Sequence, residues 1–237
     1  MKIFIPIQCA LVLLFSFCPL ALAGDAWRIT SLDWQPFSDS KSSTQGSSIQ
    51  KLRKLLENEG IELIVEFYPW ARAQDIAQQE NYVGYFPAWP EEVGEGFVAS
   101  SPVDWSDLAV MTYVGSGLEW TGLEALFEFK VGLVKSYEYP DSISRYARKR
   151  IENVDATPNE TALLRKLSCE RIKVAITSPT VMFYLAEKLA IDNVTILKRV
   201  GKTPLVVAFR KTPENLKRRR LLEELLEKSE ASELNTE

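Results

Sequence analysis

Ser47 to Ala73 reads SSIQKLRKLLENEGIELIVEFYPWARA. Ile49, Leu52, Leu55 and Leu56 recur at the spacing of one helix face, Ser47 or Ser48 stands where a cap is needed, and Gly60 stops the helix. Ile61, Leu63, Val65 and Phe67 then alternate with the period of a strand. Pro69-Trp70-Ala71-Arg72-Ala73 opens a second helix that runs to about Glu80. Helix, strand and helix joined by such short connections predict βαβ units, and hence an α/β fold built on mainly parallel sheet.

The alternation extends outward on both sides. Trp27 to Leu32 reads as a strand before this stretch, and Tyr82 to Phe86 as one after it, ending in Pro87. Asp107 to Val114 is a further strand, closed by Gly115-Ser116-Gly117, the first candidate hinge. A second series then begins with a strand at Val131 to Val134 and a helix at Asp141 to Arg150. Thr157-Pro158-Asn159-Glu160 has the pattern of a capping box before Ala162, Leu163, Leu164 and Leu167. Ile172 to Ile176 is a strand of buried type, and Ser178-Pro179 starts another helix. Val194 to Val200 and Leu205 to Phe209 read as two strands parted by Gly201-Lys202-Thr203-Pro204, the second candidate hinge. A last helix follows Thr212-Pro213, its basic run Lys217 to Arg220 placed to pair with Glu223 and Glu224. No sequence repeat is visible.

The 237 residues are 46% apolar and 25% charged, which is globular composition. There is no histidine, so Ser-His and Cys-His nucleophile systems and histidine-based zinc sites are excluded. A formal charge of −4 argues against nucleic acid as a partner. Met1 to Ala23 has one cation at Lys2, an apolar run and an Ala21-Leu22-Ala23 end, the layout of a secretory signal peptide. Cleavage after Ala23 is expected, giving an exported, periplasmic chain. Of the three cysteines it would leave only Cys169, expected as a packed small residue in its helix.

No nucleophile elbow, phosphate loop or calcium loop is present, and no cofactor or metal is expected. The aromatic residues are more informative. Trp34 and Phe37 follow the first strand, Tyr68 and Trp70 the second, Phe86 and Trp89 the third, and Tyr137 and Tyr139 the first strand of the second series. Loops beyond the carboxyl ends of strands form the ligand crevice of open α/β sheets, so this placement points to a stacking pocket. Glu91, Glu92 and Glu95 cluster nearby, on what reads as a solvated loop.

This organisation resembles the amino-acid-type (family 3) periplasmic solute-binding proteins over Trp27 to Lys228. The segments that carry it are Trp34-Gln35-Pro36-Phe37, Tyr68-Pro69-Trp70-Ala71-Arg72-Ala73 and Ser100-Ser101-Pro102. Leu123-Glu124-Ala125-Leu126 with Lys130-Val131-Gly132-Leu133-Val134, and Arg171-Ile172-Lys173-Val174-Ala175-Ile176, continue it. The resemblance implies a two-lobed, type II periplasmic-binding-protein architecture with two hinge strands and a central cleft. One lobe would comprise residues 24–113 with 203–237, the other 114–202. It further implies a monomer that captures a small molecule by hinge closure, for an ABC-type membrane permease or a sensor.

In that family an aromatic of the first loop, an arginine for the ligand's carboxylate and a second-lobe aspartate for its amine grip the ligand. Phe37 keeps the first position. The arginine's place is taken by Glu92 in Trp89-Pro90-Glu91-Glu92, and the aspartate's by Thr177 or Ser178. An ordinary free α-amino acid is therefore not the expected ligand, since its carboxylate would be desolvated without a cation. Expected binding residues are Trp34, Phe37, Trp70, Arg72, Phe86, Trp89, Glu92, Tyr137 and Thr177, with Arg72 either facing an anion or paired with Asp75 or Glu66. A cationic or aromatic ligand, with the acid on the rim, fits the same set. Because the family includes a periplasmic dehydratase, an enzyme of that type is the alternative, and a non-binding scaffold or sensor partner the third reading.

Overall fold

The computed structural model describes residues 25–234; the expected leader lies outside them. The first series runs β1 (Ala26–Ser31), α1 (Ser47–Glu57), β2 (Glu62–Phe67), α2 (Trp70–Ile76), β3 (Gly84–Ala88) and the short β4 (Phe97–Ala99). β5 (Asp104–Tyr113) leads into α3 (Leu123–Leu126), β6 (Val131–Val134), α4 (Asp141–Lys149), β7 (Val154–Thr157), α5 (Glu160–Ser168), β8 (Val174–Thr177) and α6 (Pro179–Lys188). β9 (Val194–Arg210) and α7 (Pro213–Leu234) complete the chain.

The strands join in the order β2-β1-β3-β9-β5-β8-β6-β7, with β4 also on β9. β1 is parallel to β2 and β3, and β6 is parallel to β7 and β8. Each series therefore has its first strand in the middle, its second outside and its third inside, a topological repeat that the sequence does not display. Between the two parallel sets lies the antiparallel pair β5 and β9, running from Asp104↔Leu205 to Tyr113↔Val194 with register shifts at Leu108/Ala109 and Val110/Met111. The outer end of β9 pairs with β3 and β4, and Ala109–Met111 of β5 pair with β8. These two strands thus tie one parallel set to the other.

Several local expectations are corrected. Gly201-Lys202-Thr203-Pro204 does not divide β9, which runs through it as one strand of 17 residues. Pro204 sits opposite Trp105 of β5, before the pairing with β3 begins at Val206, so its missing N–H leaves no ladder bond unmade on that side. Gly115-Ser116-Gly117 lies past the last paired residue of β5 rather than at the passage between the sets. Neither Ser47 nor Ser48 caps α1. Gly46 does, at φ 100°, where a Cβ would stand 2.5 Å from the Phe37 carbonyl oxygen. The amides of Ser47 and Ser48 donate instead to the carbonyls of Pro36 and Phe37, which ties the first loop to α1.

In the second series Thr157 ends β7, a strand not anticipated, and its hydroxyl donates to Leu133. The cap of α5 is Asn159, whose side chain accepts from the Ala162 amide at 2.9 Å. Glu160 becomes the first residue of the helix. Cys169 is exposed rather than packed. On α7 the expected ion pair forms between Arg219 and Glu223 at 2.8 Å. No helix among the described residues is long and apolar enough to cross a membrane.

Candidate functional site

The carboxyl ends of β1, β2, β3, β6 and β7 converge, and each delivers at least one residue of a shared seam. Trp34 sits in a tight turn after β1, where its amide donates to Ser38 and its carbonyl accepts from Phe37. Trp70 opens α2 after β2, Trp89 follows β3, Tyr137 follows β6 and Glu160 opens α5 after β7. A single buried cluster runs without a break from Trp27 and Ile29 through Trp34 and Trp89 to Tyr139 and Ile143. The two halves are therefore packed against each other on aromatic side chains.

Trp89 is the centre of that packing. Its ring meets Trp34 edge-on at 6.1 Å, Tyr137 at 5.5 Å and Tyr139 at 5.8 Å. Trp34 in turn stacks on Phe37 at 4.7 Å. Leu32, Trp34, Trp70, Pro87, Trp89, Glu92, Tyr137 and Leu205 enclose a cavity of only about 10 Å³, room for one water. On one side it adjoins an open groove of about 450 Å³ between Asp33, Tyr68 and Trp70 on one wall and Ser136, Tyr137 and Glu160 on the other. A second groove, of about 350 Å³, lies across Trp34 and Glu160 and carries Asp33, Asp39, Lys41 and Lys188. Both grooves are of the size that small-molecule sites have, whereas the central cavity is not.

Two acids are buried in the seam. The Pro90–Glu92 turn folds the Glu92 side chain back, so that it accepts from the Trp89 amide and from Trp70 Nε1, each at 2.9 Å. Tyr85 donates to the Glu92 carbonyl at 2.8 Å. Glu160 accepts from Trp34 Nε1 at 2.7 Å, a bond between the two halves, and from the Tyr137 hydroxyl. Burial pushes the Glu92 carboxyl up to about 8, against the hydrogen bonds that hold it down. Burial also raises Glu160, again opposed by its bonds to Tyr137 and Trp34, and raises the Tyr137 hydroxyl beside it. Neither acid has a cation as hydrogen-bond partner.

Of the nine residues singled out in the sequence, Trp34, Trp70, Trp89, Glu92 and Tyr137 line the central cavity together. Phe37 is buried behind Trp34 and lines neither the cavity nor the grooves. Phe86 is fully buried in the core. Thr177 is buried at the end of β8, paired with β5, and its hydroxyl has no partner. Arg72 pairs with neither Asp75 nor Glu66; it is exposed, its guanidinium 5.8 Å from the Tyr68 ring centre. Glu66 is instead held by Arg28 and by the hydroxyls of Tyr68 and Tyr82. Glu92 is not on a rim but 7% exposed. Glu160 was missed, its only sequence signal being an acid three positions after Thr157 that reads equally well as a helix cap.

No protein-family model and no curated protein sequence matches the chain. Solved structures do. A histidine kinase sensor domain with similarity to periplasmic binding proteins matches at TM-score 0.75 and 16% identity, over 89% of this chain and 92% of that one. An ancestral arginine-binding protein bound to arginine matches at TM-score 0.71 and 16% identity, over 87% and 92%. An arginine third transport system periplasmic binding protein from Legionella pneumophila matches at TM-score 0.68 and 16% identity, over 88% and 95%. With the paired 2-1-3 strand orders and the antiparallel strands between them, these likenesses establish that the chain has the two-lobed, type II periplasmic-binding-protein fold.

Proposed function

We propose that this is an exported, non-catalytic solute-binding protein that captures a small molecule between its lobes, for an ABC-type uptake system or a sensor. The observation that supports it is the seam itself. Five strand ends from both halves of the sheet place three tryptophans, a tyrosine and two buried acids around one cleft, at the position where open α/β sheets bind ligands. The solved relatives include proteins of transport systems and a sensor domain, which supports the class and leaves the ligand open. An ordinary α-amino acid is not our proposed ligand, because Glu92 stands among the cavity-lining residues and no arginine does.

The lobes would divide near 24–113 with 203–237 against 114–202. Since β5 already pairs with β8 from Ala109, the hinge would sit at Asp104–Leu108 and the facing Gly201–Leu205 of β9. A dehydratase-like enzyme would need a cation for its substrate's carboxylate, and Arg72 lines neither the cavity nor the groove.

Thermal unfolding against amino acids, amines, organic acids and short oligosaccharides tests the reading. A ligand at a hundred times its Kd adds about 2.7 kcal/mol, which raises the midpoint of a protein this size by about 5 to 10 °C. Trp34→Ala should abolish that shift. A panel that shifts nothing would move the protein to the scaffold class. Export is tested separately: the intact mass of the secreted chain should begin at Gly24, and a retained Met1 would overturn it.

A further inference from the structure

The central cavity and the larger groove beside it hold acids without cations, while Lys41 and Lys188 line the other groove, across Trp34 and Glu160. Asp33, Glu92 and Glu160 line the central cavity and its 450 Å³ groove, and no lysine or arginine lines either. The two buried carboxyls are held by neutral donors: Trp34 and Tyr137 for Glu160, Trp70 and the Trp89 amide for Glu92. A ligand carboxylate entering here would be desolvated beside two acids with no charge to offset the cost. A ligand cation would instead favour the ionised form of the buried acids, releasing a proton as it binds, and the groove walls supply Tyr68, Trp70 and Tyr137 as faces for it.

One further group marks the seam as incomplete. The Trp89 indole N–H is buried in the cavity wall with no acceptor. Folded interiors leave few such groups unsatisfied. A water brought in with the solute would give Trp89 an acceptor. The Trp34–Glu160 bond that now joins the halves is one that an incoming ammonium or guanidinium could replace, because either donates several N–H bonds to a carboxylate.

Resting on the solute-binding reading, we propose that the seam binds an organic cation lacking a carboxylate. Its ammonium or guanidinium head would be held by Glu160, with Asp33 on the opposite groove wall, and its body would lie over Tyr68, Trp70 and Tyr137. The test compares pairs of probes that differ only by a carboxylate: 4-guanidinobutylamine against L-arginine, and 1,4-diaminobutane against L-ornithine. Titration calorimetry would use the full chain expressed with its own leader and purified from the periplasmic fraction. Each amine should bind about 10- to 100-fold more tightly than its amino-acid parent, the scale of placing a charge with or without its partner. Glu160→Gln, which keeps an acceptor for Trp34 and Tyr137, should lose a similar factor for the amines while still folding cooperatively without ligand.

Equal or tighter binding of the amino acids overturns the cation assignment and leaves the solute-binding reading intact. Binding only of organic acids or sugars from the wider panel does the same. No binding by any compound removes both. The wild-type comparison alone decides the proposal if the Gln variant does not fold.

Discussion

Trp89→Ala should cost about 3 to 5 kcal/mol of stability, whereas Trp89→Phe should cost less than about 1.5. Trp89 is 2% exposed and its ring touches Trp34 on one side of the seam and Tyr137 and Tyr139 on the other. Truncation removes an aromatic surface that both lobes share and leaves a cavity between them that neither lobe can collapse into without moving as a body. Phenylalanine keeps most of that surface. It also deletes an indole N–H that makes no hydrogen bond, so the exchange loses no polar interaction and removes an unsatisfied donor. Urea denaturation of both variants checks this. A Phe variant as damaged as the Ala variant would mean that the N–H has a partner after all.

The same pair of variants separates stability from recognition. If a bound solute or its water takes the Trp89 N–H, Trp89→Phe will weaken ligand binding while leaving the empty protein nearly as stable as before. Loss of fold and loss of binding then have different signatures at one position.

The architecture was legible because helix and strand periods write themselves into short windows. Ile49, Leu52, Leu55 and Leu56 need only their own spacing to declare a buried helix face, and all four are buried. Aromatic residues placed after strands likewise gave the seam, since a strand's end and a loop's start are both local facts. What failed was whatever depends on a partner far along the chain. Glu160 lies 126 positions from Trp34, and nothing near Thr157-Pro158-Asn159-Glu160 tells a cap from a cleft acid. Asn159 took the cap and freed Glu160 to point across the seam. Glu92 was placed on a rim because Pro-Glu-Glu-Val-Gly-Glu is polar, but one turn at Pro90–Glu92 aims that single carboxyl inward at Trp70. Pro204 and Gly201 looked like a break because strand-breaking residues are tolerated only where a strand lacks a neighbour on one side, and pairing is not a local property.

Stability should fall as pH rises from about 5 to 9, and Glu92→Gln should remove much of that fall. The Glu92 carboxyl stands at about 8 in the folded protein, against an ordinary value of 4.5. Below 4.5 it is protonated in both states and contributes no pH dependence. Between 4.5 and 8 the folded protein holds a proton that the unfolded chain releases, so the unfolded state gains with each step upward in pH. Above 8 the full cost of a buried charge applies, on the order of a few kcal/mol. Glu160, raised by burial as well, acts in the same direction. Glu66 has the opposite sign. Its hydrogen bonds to Tyr82 and Tyr68 hold it below the ordinary value, so its contribution is lost only as pH falls toward the acid range and does not compete in this window. Glutamine at 92 keeps one acceptor for Trp70 or for the Trp89 amide and loses the other, so the variant should be the weaker protein at pH 5. Because it carries no charge to bury, it should gain on the wild type by a few kcal/mol by pH 9. Urea unfolding of both proteins at pH 5, 7 and 9 measures the difference in slope. Parallel slopes would mean that Glu92 titrates as an exposed carboxylate does, and would remove the claim that its charge is costly to bury.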